Sequence, residues 1–528
     1  MYLPALLAAL PLVVIVVAMT ALRWSAARAG GAGLAVTLVV AWFGFGYGQR
    51  VLADVGTVGA TGWAAAEAVF IAATIVWIIF PALAIHELQL RTGAVDVLRM
   101  AMGRLSDDPR ITALLVAWFF VLFVEGAAGF GTSVALAAPF LVSAGFRRIE
   151  AVTIALVGHA VGVSFGAVGT PVLAQVAVTP YTGLEIAAAT GIYHGLVGWV
   201  MPLAAMLLVT RSLPPERRLG GGAWGWTLLA AALFLVPHTL IATFIGPELP
   251  TLGAALVGAA LFVLALLVAR RLARAGSAAN ANGESANDEG ANGAASPRSG
   301  ARPTQLLRAA APYLVLVTLV LVTRLVPAVQ GALAEVTIAW RVGVFGGSFA
   351  PLYHPGTMLL IGFVAGALWQ RAPRADVALA LGRAARKLGP VTVALVAMLA
   401  LSRVMVYAEM VDALAGAAAL AAGAAWPLLS PFVGMLGTFV TGSATASNIL
   451  FTDFQVATAE RLDLSVLALL GAQGFGAAVG NIVCPHNIIA AGATVDLTGK
   501  EGEVLRRTLG VALLYAALGG LLALLVFA

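Results

Sequence analysis

The sequence predicts an all-α polytopic membrane protein with about 12 to 14 membrane elements. Hydrophobic residues make up 61% of the 528-residue chain and charged residues only 10%, whereas soluble domains carry about a quarter charged residues. Apolar runs of about 20 residues, the length that crosses a bilayer, recur along the chain. Some of the longest runs are interrupted by motifs rich in glycine and hydroxyl residues. These observations exclude a soluble enzyme, a disordered chain and a coiled coil.

Uninterrupted apolar runs predict the simple spans. The first run, Leu3–Leu22, is followed rather than preceded by arginines, so we expect a retained span and not a cleaved signal peptide. Further spans are predicted at 31–48, 62–85, 184–209, 223–246, 249–269, 309–328, 355–370, 390–407 and 507–527. More complex apolar stretches occupy 111–146, 150–180, 413–452 and 464–495.

A polar, low-complexity segment divides the chain into two membrane halves. Residues 276–303 are rich in alanine, asparagine, glycine and serine and contain no apolar run, which predicts a flexible linker. The N-terminal membrane half is then 1–275 and the C-terminal half 304–528. The single cysteine, Cys484, excludes a disulfide framework and a structural zinc site, and we expect no metal.

Arginines cluster in the loops between the apolar runs, and their positions predict the orientation of the chain. They lie on both sides of the linker and near residues 23–28, 91–110, 211–218 and 371–387. All these clusters are cytoplasmic if 111–146 enters and leaves the membrane on the cytoplasmic side and 413–452 on the outer side. The sequence therefore predicts two opposed re-entrant hairpins, an outer N-terminus and a cytoplasmic linker in a bacterial or archaeal plasma membrane.

Each half contains one break inside its hairpin and a second break further along. The hairpin breaks are Glu125–Ser133 and Thr441–Asn448, and the later breaks are Gly166–Pro171 and Gly480–Asn487. Each half therefore has one hairpin break and one later break, and the two hairpins are opposed. This pattern is typical of an inverted-repeat transporter.

The breaks predict a small anion site. Unwound backbone frees N–H groups at the starts of half-helices, where the helix dipole favours negative charge. Four such ends meeting at one place would hold a ligand with backbone N–H groups and polar side chains. The predicted binding residues are Gly129, Gly131, Thr132, Ser133, Thr170, Thr441, Ser443, Thr445, Ser447, Asn448, Asn481 and Asn487. The alternative is that the glycines only permit close helix packing.

Arg403 lies inside an otherwise apolar span, where an arginine needs a partner or a purpose. Its planar guanidinium is suited to binding a carboxylate through two hydrogen bonds. We therefore expect Arg403 either to bind a carboxylate substrate or to form a structural pair with Glu409, Glu125 or another acid in the membrane.

Proton coupling requires a group near the breaks that gains and loses a proton. Glu125 directly precedes the first break and is the best-placed acid, although it could instead cap freed N–H groups. His159 and His486 lie beside the later breaks, and histidine is a residue type suited to proton transfer, but single histidines also serve as hydrogen-bonded packing elements. Glu409 is a further candidate, and Glu67 is a weaker one because its span has no break.

The predicted outer loop, Val329–His354, is rich in aromatic residues. They are typical either of an outer gate or of an amphipathic segment at the membrane interface: Trp340, Phe345, Phe349 and Tyr353. Arg324 precedes this loop and Arg341 lies within it, and we expect both to be interfacial anchors.

Several of these motifs resemble the lactate permease family of bacterial carboxylate transporters. They include FVEGAAGFGTSVALAAPFLVSAGF (123–146), SFGAVGTPV (164–172), FIGPELP (244–250), FVTGSATASNILF (439–451) and GNIVCPHNIIAAGATVDLTGKEGEVLRRTL (480–509). The resemblance covers most of the chain from about residue 60 onward except the linker, and it implies a divergent member, since family members commonly carry an acid where this chain has Ala444. It also implies site roles for the matching residues of both hairpin breaks, including Gly442.

What the resemblance implies is a symporter of lactate or glycolate that moves its substrate with a proton and needs no cofactor. The expected partners are a small carboxylate and the lipid bilayer, with no nucleic acid, and the protein is expected to be a monomer or homodimer. The alternatives are a sodium-coupled transporter of another organic anion, such as a dicarboxylate or sulfonate, and a membrane-embedded enzyme. The enzyme is disfavoured because no group of acid, base and nucleophile stands out in the sequence.

Overall fold

The computed structural model describes residues 2–103, 106, 108–129, 131–213, 222–281, 303–497 and 499–527. Within these residues twelve helices are long and apolar enough to cross a membrane. A pair of helices bent by 42° adds a thirteenth, and this pair occupies the predicted 184–209 span. The prediction of an all-α multi-pass membrane protein is therefore confirmed.

The α-helices of the N-terminal half follow the predicted apolar runs. In chain order they are α1 (Tyr2–Thr20), α2 (Ala26–Val39), α3 (Gly56–Arg91), α4 (Ala94–Gly103), α5 (Pro109–Leu114), α6 (Val121–Ala128), α7 (Thr132–Ser143), α8 (Arg148–His159), α9 (Gly166–Val176), α10 (Gly183–Val197), α11 (Val200–Ser212), α12 (Gly222–Phe244) and α13 (Pro250–Ala281). A π-helical turn, Leu115–Phe120, joins α5 to α6, and a 3-10 segment, Ala160–Phe165, joins α8 to α9. A second π-helical turn, Val40–Gly44, extends α2.

The C-terminal half begins at Pro303. Its α-helices are α14 (Pro303–Leu325), α15 (Pro327–Glu335), α16 (Pro355–Trp369), α17 (Arg374–Tyr407), α18 (Met410–Ala422), α19 (Trp426–Thr441), α20 (Ala444–Arg461), α21 (Val466–Gly480), α22 (Pro485–Ala493) and α23 (Glu501–Leu522). A 3-10 turn, Gly423–Ala425, joins α18 to α19, and a π-helical segment, Ala523–Phe527, ends the chain.

Two parts of the sequence prediction fall on the edge of the described residues. Helix α13 continues into the first residues of the predicted linker, as far as Ala281. The rest of the linker, 282–302, and the arginines at 217 and 218 lie outside the described residues.

The predicted outer loop contains a short element of β-structure. There α15 is followed by an antiparallel β-hairpin of β1 (Ile338–Val342) and β2 (Phe345–Phe349). Ile338 pairs with Phe349 and Val342 with Phe345. Alternating β-branched and aromatic residues favour strands, and Gly343 supplies the positive φ of +59° that the tight turn requires.

Arg324, at the end of α14, is not the exposed anchor that the sequence suggests. Its side chain is 10% exposed and pairs with the buried Glu248, with 2.5 Å between Nη2 and Oε1. The guanidinium carbon also lies 3.7 Å from the centre of the Tyr353 ring. Arg324 therefore joins α14 to the segment before α13 through a buried ion pair.

The helices that carry the first two breaks lie in the interior of the protein. Residues 111–129 and 150–172 are buried throughout. In α1, by contrast, only 28% of an 18-residue stretch is buried. Helices that are apolar on every side are stable when neighbouring helices surround them. The outer helices therefore shield the irregular backbone of the interior from lipid.

Glycines let several of these helices approach closely. A Cβ placed on Gly158 of α8 would lie 1.7 Å from the Ala117 carbonyl oxygen, and one on Gly476 of α21 would lie 1.9 Å from the Pro431 carbonyl oxygen. No side chain fits in either place. Close packing of small residues, the alternative given for the glycine motifs, is thus present between these helices.

We expect Gly158→Ala to destabilise the protein by about 1–3 kcal/mol or more, because the added methyl group forces α8 away from its neighbour. Thermal unfolding of the purified protein in detergent measures the effect. Gly382→Ala in α17 is the matched control, since nothing lies within 4 Å of a Cβ placed there. Equal unfolding temperatures for the two variants would contradict this account of the packing.

Candidate functional site

The helices are interrupted at the four predicted positions, which we number in chain order. The first break separates α6 from α7. Gly129 and Gly131 have φ values of +55° and +74°, a region that glycine adopts without steric cost. The Thr132 hydroxyl donates to the Gly129 carbonyl (2.8 Å). The Ser133 hydroxyl donates to Oε2 of the buried Glu125 (2.7 Å), so this carboxylate is held against the break.

The second break lies at the start of α9. Gly166 is extended, and Ala167 and Val168 have φ values of +43° and +57°. Left-handed conformations cost non-glycine residues about 1–3 kcal/mol each and cluster at functional sites. The Thr170 hydroxyl donates to the freed Ala167 carbonyl (2.6 Å). A Cβ on Gly166 would lie 2.5 Å from Glu125 Oε1, so Glu125 lies between the first and second breaks.

The third break separates α19 from α20. Gly442 has a φ of +77°, and the Ser443 hydroxyl caps α20 by accepting from Ala446 N–H (3.3 Å). The Ser447 hydroxyl donates back to the Gly434 carbonyl of α19 (2.8 Å), which shows that α19 and α20 fold against each other. Two further predicted binding residues of this break are buried: Thr441 and Thr445.

The fourth break separates α21 from α22 and is rich in amides. The Asn487 amide donates to the Asn481 carbonyl (3.2 Å) and to its side-chain oxygen. His159 Nε2 lies 3.0 Å from Asn481 Oδ1, and His159 Nδ1 lies 2.7 Å from the Leu156 carbonyl. Both ring nitrogens of His159 therefore face carbonyl oxygens, which accept hydrogen bonds and do not donate them.

All four breaks meet at one place. The Asn448 amide of α20 donates to the Pro171 carbonyl beyond the second break (2.9 Å). A Cβ added to Gly129 would lie 3.1 Å from Ala167, and one added to Gly131 would lie 2.7 Å from Asn487 Oδ1. The third and fourth breaks also touch, because a Cβ on Gly442 would lie 3.3 Å from the His486 Cβ. The predicted binding residues of the breaks are therefore brought together.

This arrangement is suited to a small anion. Helices α7, α20 and α22 begin at the breaks, so their free N–H groups and positive dipole ends lie in one region. Thr132 and Ser443 are half-buried and His486 is exposed, so polar groups from three breaks are accessible from outside the protein.

Arg403 and Glu409, two other predicted site residues, lie elsewhere. Arg403 pairs with Asp453 of α20, and its Nη1 is 3.9 Å from Glu67 Oε1. Asp453 lies nine residues beyond Ala444, which is about 14 Å along the helix from the third break. The Arg403 guanidinium is thus paired with an acid, but neither with Glu125 nor with Glu409. Glu409 is exposed at the junction of α17 and α18.

Sequence reasoning missed two kinds of residue near the breaks. Gln473 of α21 donates to the Ser447 hydroxyl (3.3 Å) and accepts from the Gln455 amide (3.1 Å). Asp453, the partner of Arg403, was not singled out either. The available signal was the same for both: a polar or acidic side chain within an apolar stretch usually has a specific partner.

We expect Asn448→Ala to loosen the meeting of the breaks, because it removes the hydrogen bond that joins α20 to α9, which is worth about 0.5–1.5 kcal/mol. Cys484, which is buried beside Gly442, reports the change through its rate of alkylation by a maleimide. A loss of about 1.4 kcal/mol in local stability raises this rate about tenfold. Gln330→Ala, which removes an exposed amide, is the control; equal rates in both variants would contradict the proposed contact.

Comparison with known proteins agrees with this architecture. A family model described as L-lactate permease matches residues 4–528. The glycolate permease of Escherichia coli K12 is 30% identical over 99% of this chain and 95% of its own length. The L-lactate permeases of Streptococcus iniae and Bacillus subtilis are 29% and 27% identical, over 87% and 96% of this chain and 92% and 93% of their own lengths. Because the family model covers nearly the whole sequence, the chain belongs to the L-lactate permease family.

Proposed function

We propose that this permease imports a small 2-hydroxymonocarboxylate, lactate or glycolate, together with a proton across the plasma membrane. The observation that carries the proposal is the meeting of four helix breaks in a chain of this family. The relatives named above as glycolate and L-lactate permeases support the substrate class.

In this proposal the substrate lies where α7, α20 and α22 begin. Its carboxylate accepts hydrogen bonds from freed backbone N–H groups and from the accessible hydroxyl of Ser443. The Thr132 hydroxyl joins them by turning from the Gly129 carbonyl to the substrate. Its 2-hydroxyl group bonds to an amide of the fourth break, Asn481 or Asn487. The buried residues of the breaks keep these groups in position.

The proton balances the charge of the substrate. A monocarboxylate is an anion at neutral pH, and its transfer with one proton moves no net charge against the membrane potential. Glu125 is the group that takes the proton, because its carboxylate lies between the first and second breaks. His159 and His486 adjoin the same site and are the alternative carriers.

The arginine clusters support an orientation in which the N-terminus is outside and the linker is cytoplasmic. The two hairpins are then re-entrant from opposite faces and related as inverted repeats. Each chain contains a complete set of breaks, so the protein transports as a monomer or as a homodimer of independent sites.

Uptake by proteoliposomes under imposed gradients tests the function. We expect labelled lactate or glycolate to accumulate when the outside is acidic and not in response to a sodium gradient alone. A panel of dicarboxylates and sulfonates measures selectivity. Uptake driven by sodium, or uptake of neither 2-hydroxy acid, would contradict the proposal.

We expect Glu125→Gln to abolish the acceleration of uptake by the pH gradient, because the glutamine amide cannot take up the proton. Glu460→Gln, which alters an exposed acid at the end of α20, is the control and retains the acceleration. The measurement is initial uptake with and without a pH gradient at equal amounts of reconstituted protein. Normal gradient-driven uptake by Glu125→Gln would exclude Glu125 as the coupling residue.

A further inference from the structure

A cluster of buried charged side chains lies where α20 meets α3 and α17. Arg403 of α17 pairs with Asp453 of α20, and its Nη1 is 3.9 Å from Glu67 Oε1 of α3. The Ser402 hydroxyl donates to the Asp453 carboxylate (2.9 Å), and the Tyr407 hydroxyl donates to Glu67 Oε2 (2.6 Å). Two acidic side chains therefore share one guanidinium.

The charges of this cluster do not balance. The side chains of Arg403, Glu67 and Asp453 are 7%, 8% and 14% exposed, and buried charges are costly unless they are compensated. The guanidinium compensates one carboxylate, so the cluster has a net charge of −1 when both acids are ionised. Arg403 Nε is buried and without a hydrogen-bond partner, which shows that the two acids do not saturate the guanidinium.

The β-hairpin covers the Glu67 side of the cluster. Trp63, Glu67 and Phe70 are spaced so that they share one face of α3. Trp340 of β1 packs on this face, with its ring centre 6.0 Å from that of Trp63 and 6.2 Å from that of Phe70. The aromatic residues of the predicted outer loop thus close over a buried acid.

Few other titratable groups among the described residues face the cluster. Tyr407 packs against Phe345 of β2, with 4.7 Å between ring centres. Tyr47, in the segment before α3, is buried and donates its hydroxyl to a backbone carbonyl of α3 (2.8 Å). The charged groups Glu409, beyond Tyr407, and Arg341, of β1, are exposed. The excess charge of the cluster is therefore not compensated by these neighbours.

We propose that Asp453 and Glu67 form, around Arg403, a proton-binding site separate from Glu125. One proton on either carboxylate makes the cluster neutral, and a proton on Asp453 weakens the ion pair that joins α17 to α20. This inference rests on the proposed proton-coupled function and deepens it, since α20 begins at the third break. Binding of a proton by Asp453 thereby loosens a break-bearing helix from its surroundings.

Infrared difference spectra of the purified protein between acidic and alkaline pH test proton binding without transport. We expect one carbonyl band of a protonated carboxylic acid to be lost in Glu67→Gln and in Asp453→Asn, because the remaining acid is fully compensated by Arg403. Asp412→Asn, which removes the acid of an exposed pair with Arg461, retains the band. Spectra of both cluster variants identical to wild type would overturn the site.

Uptake measurements test the consequence for transport. Glu67→Gln keeps the Arg403–Asp453 pair and removes the excess charge, so it is the variant expected to fold normally. The proton concentration that gives half-maximal lactate uptake should rise about tenfold, equivalent to about 1.4 kcal/mol, while lactate exchange at equal pH continues. A wild-type pH profile in Glu67→Gln overturns the inference. If the wild type transports no lactate or glycolate, the proposed function fails and the infrared spectra still decide the proton site.

Discussion

Unwound backbone inside a membrane must find hydrogen-bond partners without water, and the rest of this structure depends on that requirement. Each unsatisfied backbone group costs several kcal/mol in hydrocarbon. The Thr132 and Thr170 hydroxyls donate to carbonyls freed at the first two breaks, and Asn448 donates to the Pro171 carbonyl. The first two breaks therefore satisfy part of their backbone with their own hydroxyls, and the third break supplies a donor to the second.

The same requirement explains the division between inner and outer helices. The stretches 111–129 and 150–172, which carry or precede the first two breaks, are buried along their whole length, while only 28% and 33% of 18-residue stretches in the α1 and α2 spans are buried. Burial of this kind needs close approach of helices, which glycines such as Gly158 and Gly476 permit. Glycine therefore has two roles in this chain: it allows close packing within helices and positive φ at the breaks.

The sequence predicted the features that arise from local signals. Glycine, proline and hydroxyl residues within apolar runs mark the breaks, and run length marks the spans. It could not predict which surfaces meet across long distances in the chain, such as Asn448 with Pro171 or Arg403 with Asp453. The β-hairpin was missed because its aromatic residues are equally typical of an interfacial helix, and only packing on Trp63 and Phe70 selects the strands.

The charge balance of the ion pairs separates structural pairs from groups able to take up a proton. Arg324 and Glu248 form a buried pair of one cation and one anion, so the pair is neutral and stable without a proton. Glu87 has two cations near it, but Lys387 and Arg383 are more than half exposed, so water stabilises the excess positive charge. The Arg403 cluster has an excess negative charge and little contact with solvent. A proton is the smallest ligand that neutralises such a site, and it does so where the break-bearing helix α20 meets its neighbours.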